Sequence, residues 1–183
     1  WVRAVAVLCM VEVHTAAIIP PRGMTVGDPG AFVAAAFGGM AAPMFVMISG
    51  WGLHKSATRR SSGKQITASE WVSWILPRVT ILAFCQILVN LLLNIERGGR
   101  FEWQTPGVLT LLAFAALLAP VLVSLGVRSR ASILLITAVS PMIIGDASGL
   151  DWTWWERISS QGASEWIARL LWNGTYPVMP WIF

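Results

Sequence analysis

The sequence is poor in charge, histidine, cysteine and tyrosine. Only 12% of its 183 residues are charged, against about 25% in ordinary soluble domains, which argues against a solvated globular fold. The two cysteines, Cys9 and Cys85, lie inside apolar stretches and read as small packing residues. With two histidines, His14 and His54, there is no ligand cluster, so no metal site and no disulfide framework is expected. GxSxG, GxxxxGK[ST] and HExxH are all absent, which removes the hydrolase-elbow, P-loop and zincin readings. The net charge of +4 and pI near 9.8 could suggest nucleic acid. The basic residues, however, fall in short clusters between apolar runs rather than along one face, so no nucleic-acid partner is expected. What the chain has in quantity is apolar surface, 56% hydrophobic residues with eleven tryptophans, and its expected partner is a lipid bilayer.

A bilayer core of about 30 Å takes roughly 20 helical residues to cross. Runs at 1–20, 30–54, 71–95, 103–127 and 131–149 meet that test, and a further run begins near Tyr176. They lack the two-residue alternation of a membrane barrel, so helices are predicted. The fold expected is an all-α, polytopic transmembrane helix bundle of five spans plus the start of a sixth. It forms one integral membrane domain over 1–183. Because the chain opens on Trp1 and stops inside an apolar segment at Phe183, it is expected to be the N-terminal part of a longer domain.

Loop charge predicts the orientation. Residues 55–64 hold Lys55, Arg59, Arg60 and Lys64, and the 128–130 turn holds Arg128 and Arg130, so both belong on the cytoplasmic side with the start of the first helix. The alternate loops are neutral or acidic. The longest, 147–175, carries Trp152, Trp154, Trp155, Trp166 and Trp172 and reads as an external interfacial segment. Within it SEWIARLLWNG resembles a short surface helix, with Ser164 as N-cap and Gly174 as terminator. Asn173-Gly-Thr175 also fits a glycosylation tripeptide, a pattern common by chance.

An ionisable residue deep in a membrane helix costs about 2.5–3.5 kcal/mol and calls for a reason. The first helix has three: Arg3, Glu12 and His14. Arg3, at the cytoplasmic start, can snorkel at little cost. Arg3 and His14 are eleven residues apart, which returns to nearly the same helix face about 16 Å along the axis. Glu12 points to a different face, so a Glu12–His14 dyad within this helix is not expected. Arg78, after Pro77 in the third run, is either a snorkelling flank or a phosphate contact. His54 and Lys55 read as a solvated flank, Asn90 and Asn94 as inter-helix hydrogen bonders, and Asp146 as an interface marker. The small residues Gly38, Gly39, Ala42, Ser49, Gly50 and Gly52 are expected to let the second helix approach the first closely.

Arg3, ten residues and His14 at the start of a first membrane helix resembles the R-x10-H signature of membrane acyltransferases of the acyltransferase-3 type. The stretch AAPMFVMISGWGLHKS, with Pro43, Phe45 and Gly50, is similar to the PxFxxxxG segment of bacterial relatives of heparan-α-glucosaminide N-acetyltransferase. TYPVMPWIF is similar to the YPxxPW opening of a later helix in the same group. The three matches occur in the family's order and reach both ends of the chain, whereas Glu12 is no part of the pattern.

This resemblance implies transfer of an acyl group, commonly acetyl, from a cytoplasmic acyl-CoA such as acetyl-CoA to a hydroxyl or amine of a carbohydrate or other cell-envelope acceptor on the external side. On this reading His14 is the catalytic candidate and Arg3 the donor-binding one; Arg78 is a second donor-binding candidate by its place at the cytoplasmic start of the third run, and Glu12, outside the pattern, is an accessory candidate whose role stays open. Acyl-CoA would be a cosubstrate and no cofactor would be bound. The competing reading is a transporter or proton-coupled membrane protein in which Glu12, His14 and Arg78 form a relay. It should show paired interrupted helices in two halves, and the sequence has none.

Overall fold

A computed structural model describes residues 1–18, 28–62, 66–149 and 151–181. Lys64 of the predicted 55–64 loop lies outside them. The fold is all-α, and no strand occurs among the described residues. The helices are α1 (Val2–Ile18), α2 (Pro29–Ser61), α3 (Ala68–Leu92), α4 (Val108–Ser124), α5 (Val127–Ile144), α6 (Trp154–Ile158), α7 (Ala163–Ala168) and α8 (Val178–Trp181).

Three helical segments are long and apolar enough to cross a bilayer, Pro29–Ser61, Ala68–Leu92 and Val127–Ser148. With 17 residues each, α1 and α4 extend about 25 Å. Apolar side chains lie on the outside of these helices: Met142 is 85% exposed, Ile143 72% and Phe84 65%. Surfaces of that kind belong against hydrocarbon rather than water. Proline lies inside α2 (Pro43), α3 (Pro77), α4 (Pro120) and α5 (Pro141), as membrane helices tolerate.

Two compact units make up the chain, Trp1–Trp51 and Gly52–Phe183. In the first, Ala6 and Cys9 of α1 and Ala41 of α2 are buried. An added Cβ at Gly39 or Gly50 would meet nothing within 4 Å. The expectation that these two glycines serve close helix packing is therefore corrected.

In the second unit α3 and α4 pack as an antiparallel pair. Leu111, Ala113, Ala116 and Ala119 are the buried residues of α4, and these mostly small side chains let the two backbones approach. The turn between the helices is tight: Ile95 N–H donates to Phe101 O at 2.9 Å and Arg100 N–H to Leu93 O at 2.9 Å. Gly98 adopts the left-handed φ of 80° that closes it.

Several predicted boundaries move. Helix α2 continues through the basic stretch to Ser61, because Lys55, Arg59 and Arg60 are good helix formers once in water. Arg128 and Arg130 lie in the first turn of α5 rather than in a turn, and the helical run is interrupted at Leu125-Gly126. Helix α4 begins at Val108, so 103–107 belong to the loop. Gly162, not Ser164, is the N-cap of α7, which runs into a π turn, Arg169–Asn173, ended by Gly174. A side chain at Gly174 would collide with the Arg169 carbonyl, which makes glycine the fitting terminator.

Candidate functional site

The backbones of Arg3 and His14 share the single helix α1. Their side chains lie outside the described residues. Between them, Glu12 buries its Oε2 with no hydrogen-bond partner among the described residues. A buried, unpaired carboxylate oxygen is costly, and it separates Glu12 from the other acidic side chains of the chain.

The second unit has two polar ends. At one, the end of α2 meets the starts of α3 and α5. Arg78 sits over the Trp74 ring, 5.1 Å from its centroid, and Arg60 approaches the same ring at 5.9 Å. A guanidinium in that range is attracted by the indole's electron-rich face. Trp71 packs edge-on against Trp74 with centroids 5.5 Å apart. His54 faces Arg130, whose Nη1 lies 3.5 Å from His54 Nε2, so the predicted solvated flank is tied to α5.

At the opposite end, loop 93–107 and the Trp-rich segment form one hydrogen-bonded cap. Asn90, buried near the end of α3, donates from Nδ2 to Trp103 O at 3.0 Å and to Thr105 O at 2.8 Å. Gln86 Oε1 accepts from Leu109 N–H at 3.1 Å, satisfying a donor in the first turn of α4. Thr105 Oγ1 donates to Ile158 O at 3.0 Å and Trp166 Nε1 to Gln104 O at 2.7 Å, which fasten the two segments together. Arg157 donates to the carbonyls of Gly149 and Trp152. Arg169 donates to Ser159 O at 2.9 Å and to Asn173 Oδ1 at 3.0 Å, with its guanidinium 4.6 Å from the Trp152 centroid.

Three expectations are revised here. Asn90 holds a loop rather than bridging two helices, and Asn94 caps the short turn after α3 by accepting from Glu96 N–H at 2.8 Å. Asn173 is buried, with its amide engaged by Arg169 and Ala147 O, so it is no accessible glycan acceptor. Asp146 stands where predicted, in the turn Gly145–Ser148 that ends α5. Among the described residues no group of His, Cys, Asp and Glu could hold a metal ion.

Sequence reasoning passed over Trp74, Gln86, Arg157 and Arg169, and took Arg60 only as a topology charge. The one usable signal was the Trp74–Arg78 spacing of one turn on α3. The backbone carbonyls that receive the two cap arginines become neighbours only in the fold.

The apolar helices and the two polar ends define a helical membrane protein. Its whole length, residues 1–183, matches the family described as heparan-alpha-glucosaminide N-acetyltransferase, catalytic. The chain belongs to this family of membrane N-acetyltransferases. No curated protein and no solved structure matches it.

Proposed function

We propose that the chain carries the donor-side machinery of a membrane acyltransferase. It would move an acyl group, acetyl in the first instance, from a cytoplasmic acyl-CoA to a hydroxyl or amine, of a sugar in the first instance, on the external side. The observation that carries this reading is the family match over the full length, together with Arg3 and His14 on one continuous helix. Eleven residues of helix set them about 16 Å apart along the axis, a span for an extended pantetheine arm.

Arg3 binds a donor phosphate through its planar fork of N–H donors. His14, as a neutral imidazole, takes the proton from the acceptor as its oxygen or nitrogen attacks the thioester carbonyl. The thiolate of coenzyme A then leaves and is reprotonated. A ping-pong variant, in which His14 itself carries the acyl group between donor and acceptor, uses the same geometry. Glu12 stands as an accessory on the same helix. Arg78 keeps its assignment as a phosphate contact, and the groove beside it decides which phosphate it meets.

The test uses the full-length protein in inside-out vesicles supplied with acetyl-labelled acetyl-CoA outside, the former cytoplasmic face. Labelled acceptor accumulating in the lumen supports the reading. Label that remains on coenzyme A, or product confined to the donor side, refutes it.

A further inference from the structure

The start of α3 places two chemistries side by side. On one flank Arg60 and Arg78 converge on the single Trp74 ring, at 5.9 and 5.1 Å from its centroid. Among the described residues no carboxylate pairs with either guanidinium. Two cations drawn to one ring repel each other and are best satisfied by an anion that both can reach.

On the adjacent flank runs a groove of about 340 Å³ between α3 and α4, walled by Trp71, Val72, Leu76, Leu117 and Pro120. Its walls offer hydrocarbon and aromatic carbon, and Val72, Leu76 and Leu117 are each more than half exposed. Trp71 joins the flanks, since its ring lines the groove and packs edge-on against Trp74. The ligand that fits has a negatively charged phosphate at one end and an unbroken hydrocarbon chain at the other.

We propose that Arg60, Trp74 and Arg78 with the α3–α4 groove form a binding site for one anionic phospholipid, its phosphate on the two guanidiniums and an acyl chain in the groove. Coenzyme A shares the phosphate but fits the groove poorly. Its pantetheine arm carries two amides, and buried amides without partners are unfavourable. The other basic residues at this end, Lys55, Arg59, Arg128 and Arg130, add the field that draws anionic headgroups. The inference leaves Arg3 and His14 in the acyl-transfer reading and moves Arg78 from the donor to the lipid.

The experiment is titration of the full-length protein, purified in a neutral detergent, with phosphatidylglycerol or phosphatidylcholine of identical chains, read by native mass spectrometry. We expect phosphatidylglycerol to bind about thirtyfold more tightly, from two arginines at roughly 1 kcal/mol each near an anionic headgroup. The preference should vanish in Arg60→Ala/Arg78→Ala and persist in large part in Arg60→Lys/Arg78→Lys. Leu117→Trp, which fills the groove, should weaken both lipids. Retention of the melting temperature in phosphatidylcholine shows that each variant is folded. Equal binding of the two lipids, or an undiminished preference in the double alanine variant, overturns the proposal. So does displacement of phosphatidylglycerol by coenzyme A in wild type but not in the double alanine variant, which would give the arginines to the donor.

Discussion

Gln86 and Asn90, one turn apart on α3, are joined side chain to side chain, Gln86 Nε2 donating to Asn90 Oδ1 at 2.8 Å. That bond orients both amides. Gln86 is left with its oxygen for the Leu109 N–H of α4, and Asn90 with its nitrogen for the carbonyls of Trp103 and Thr105. Two adjacent amides on one helix thus hold both the next helix and the loop leading to it. Thr105 and Gln104 in turn hold the Trp-rich segment.

Asn90→Leu should be among the most damaging changes in the cap. It strands the Thr105 carbonyl and the Gln86 amide, buried groups whose lost partners cost about 1–3 kcal/mol each, and also the part-buried Trp103 carbonyl. A clear fall in the detergent melting temperature is expected, and an unchanged value would contradict the network.

Gly107 is where the Gln86 amide passes closest. A Cβ there would lie 2.7 Å from both Gln86 Nε2 and Oε1, so Gly107→Ala must push aside a side chain held by Asn90 and Leu109. We expect a loss of about 1–3 kcal/mol, typical of overpacking, in the wild-type background and a much smaller one in Gln86→Ala. Equal losses in the two backgrounds would show that the clash is not with Gln86.

Arg169 ties three parts of the Trp-rich segment together through Ser159 O, Asn173 and the Trp152 ring. Arg169→Ala should cost about 1.5–3 kcal/mol, the scale of hydrogen bonds to a charged group. The loss should show locally, as faster amide exchange over 152–173 with α3 unaffected. Uniform protection would argue that the segment holds without it.

The Glu156 carboxylate accepts from Thr153 Oγ1 at 2.7 Å and from Thr153 N–H at 2.6 Å, closing a capping box on α6. These bonds hold its pKa below the ordinary 4.5. A carboxyl whose folded pKa is lowered stabilises the fold fully above its unfolded value, and that contribution fades as pH falls through the folded value. Stability of α6 should therefore decline below pH 4.5 in wild type and less so in Glu156→Gln. Matching acid profiles for the two would remove the box from the account.

The long apolar runs were legible because a bilayer demands backbone hydrogen bonds made within each segment, and composition alone reveals where that holds. Helix ends were less so. Arg59 and Arg60 mark the water boundary by charge, yet they prolong α2 because arginine favours helix on either side of that boundary. The cap was illegible for a different reason. Asn90 could be seen as a polar residue needing a partner, but its partners, the Trp103 and Thr105 carbonyls, carry no side-chain signature. Arg78 was recognised as a phosphate candidate, while Arg60, eighteen positions earlier, joins it only when α2 and α3 meet at Trp74.

We propose His14 as the group that performs the acyl transfer while other residues hold the donor. The most direct test of this assignment compares full-length wild type and His14→Ala in vesicles for acetyl transfer and for coenzyme A binding in the same preparation. Transfer should fall by at least about a hundredfold, the lower range for removal of a general base, with coenzyme A affinity nearly unchanged. Transfer at the wild-type rate by His14→Ala would contradict it.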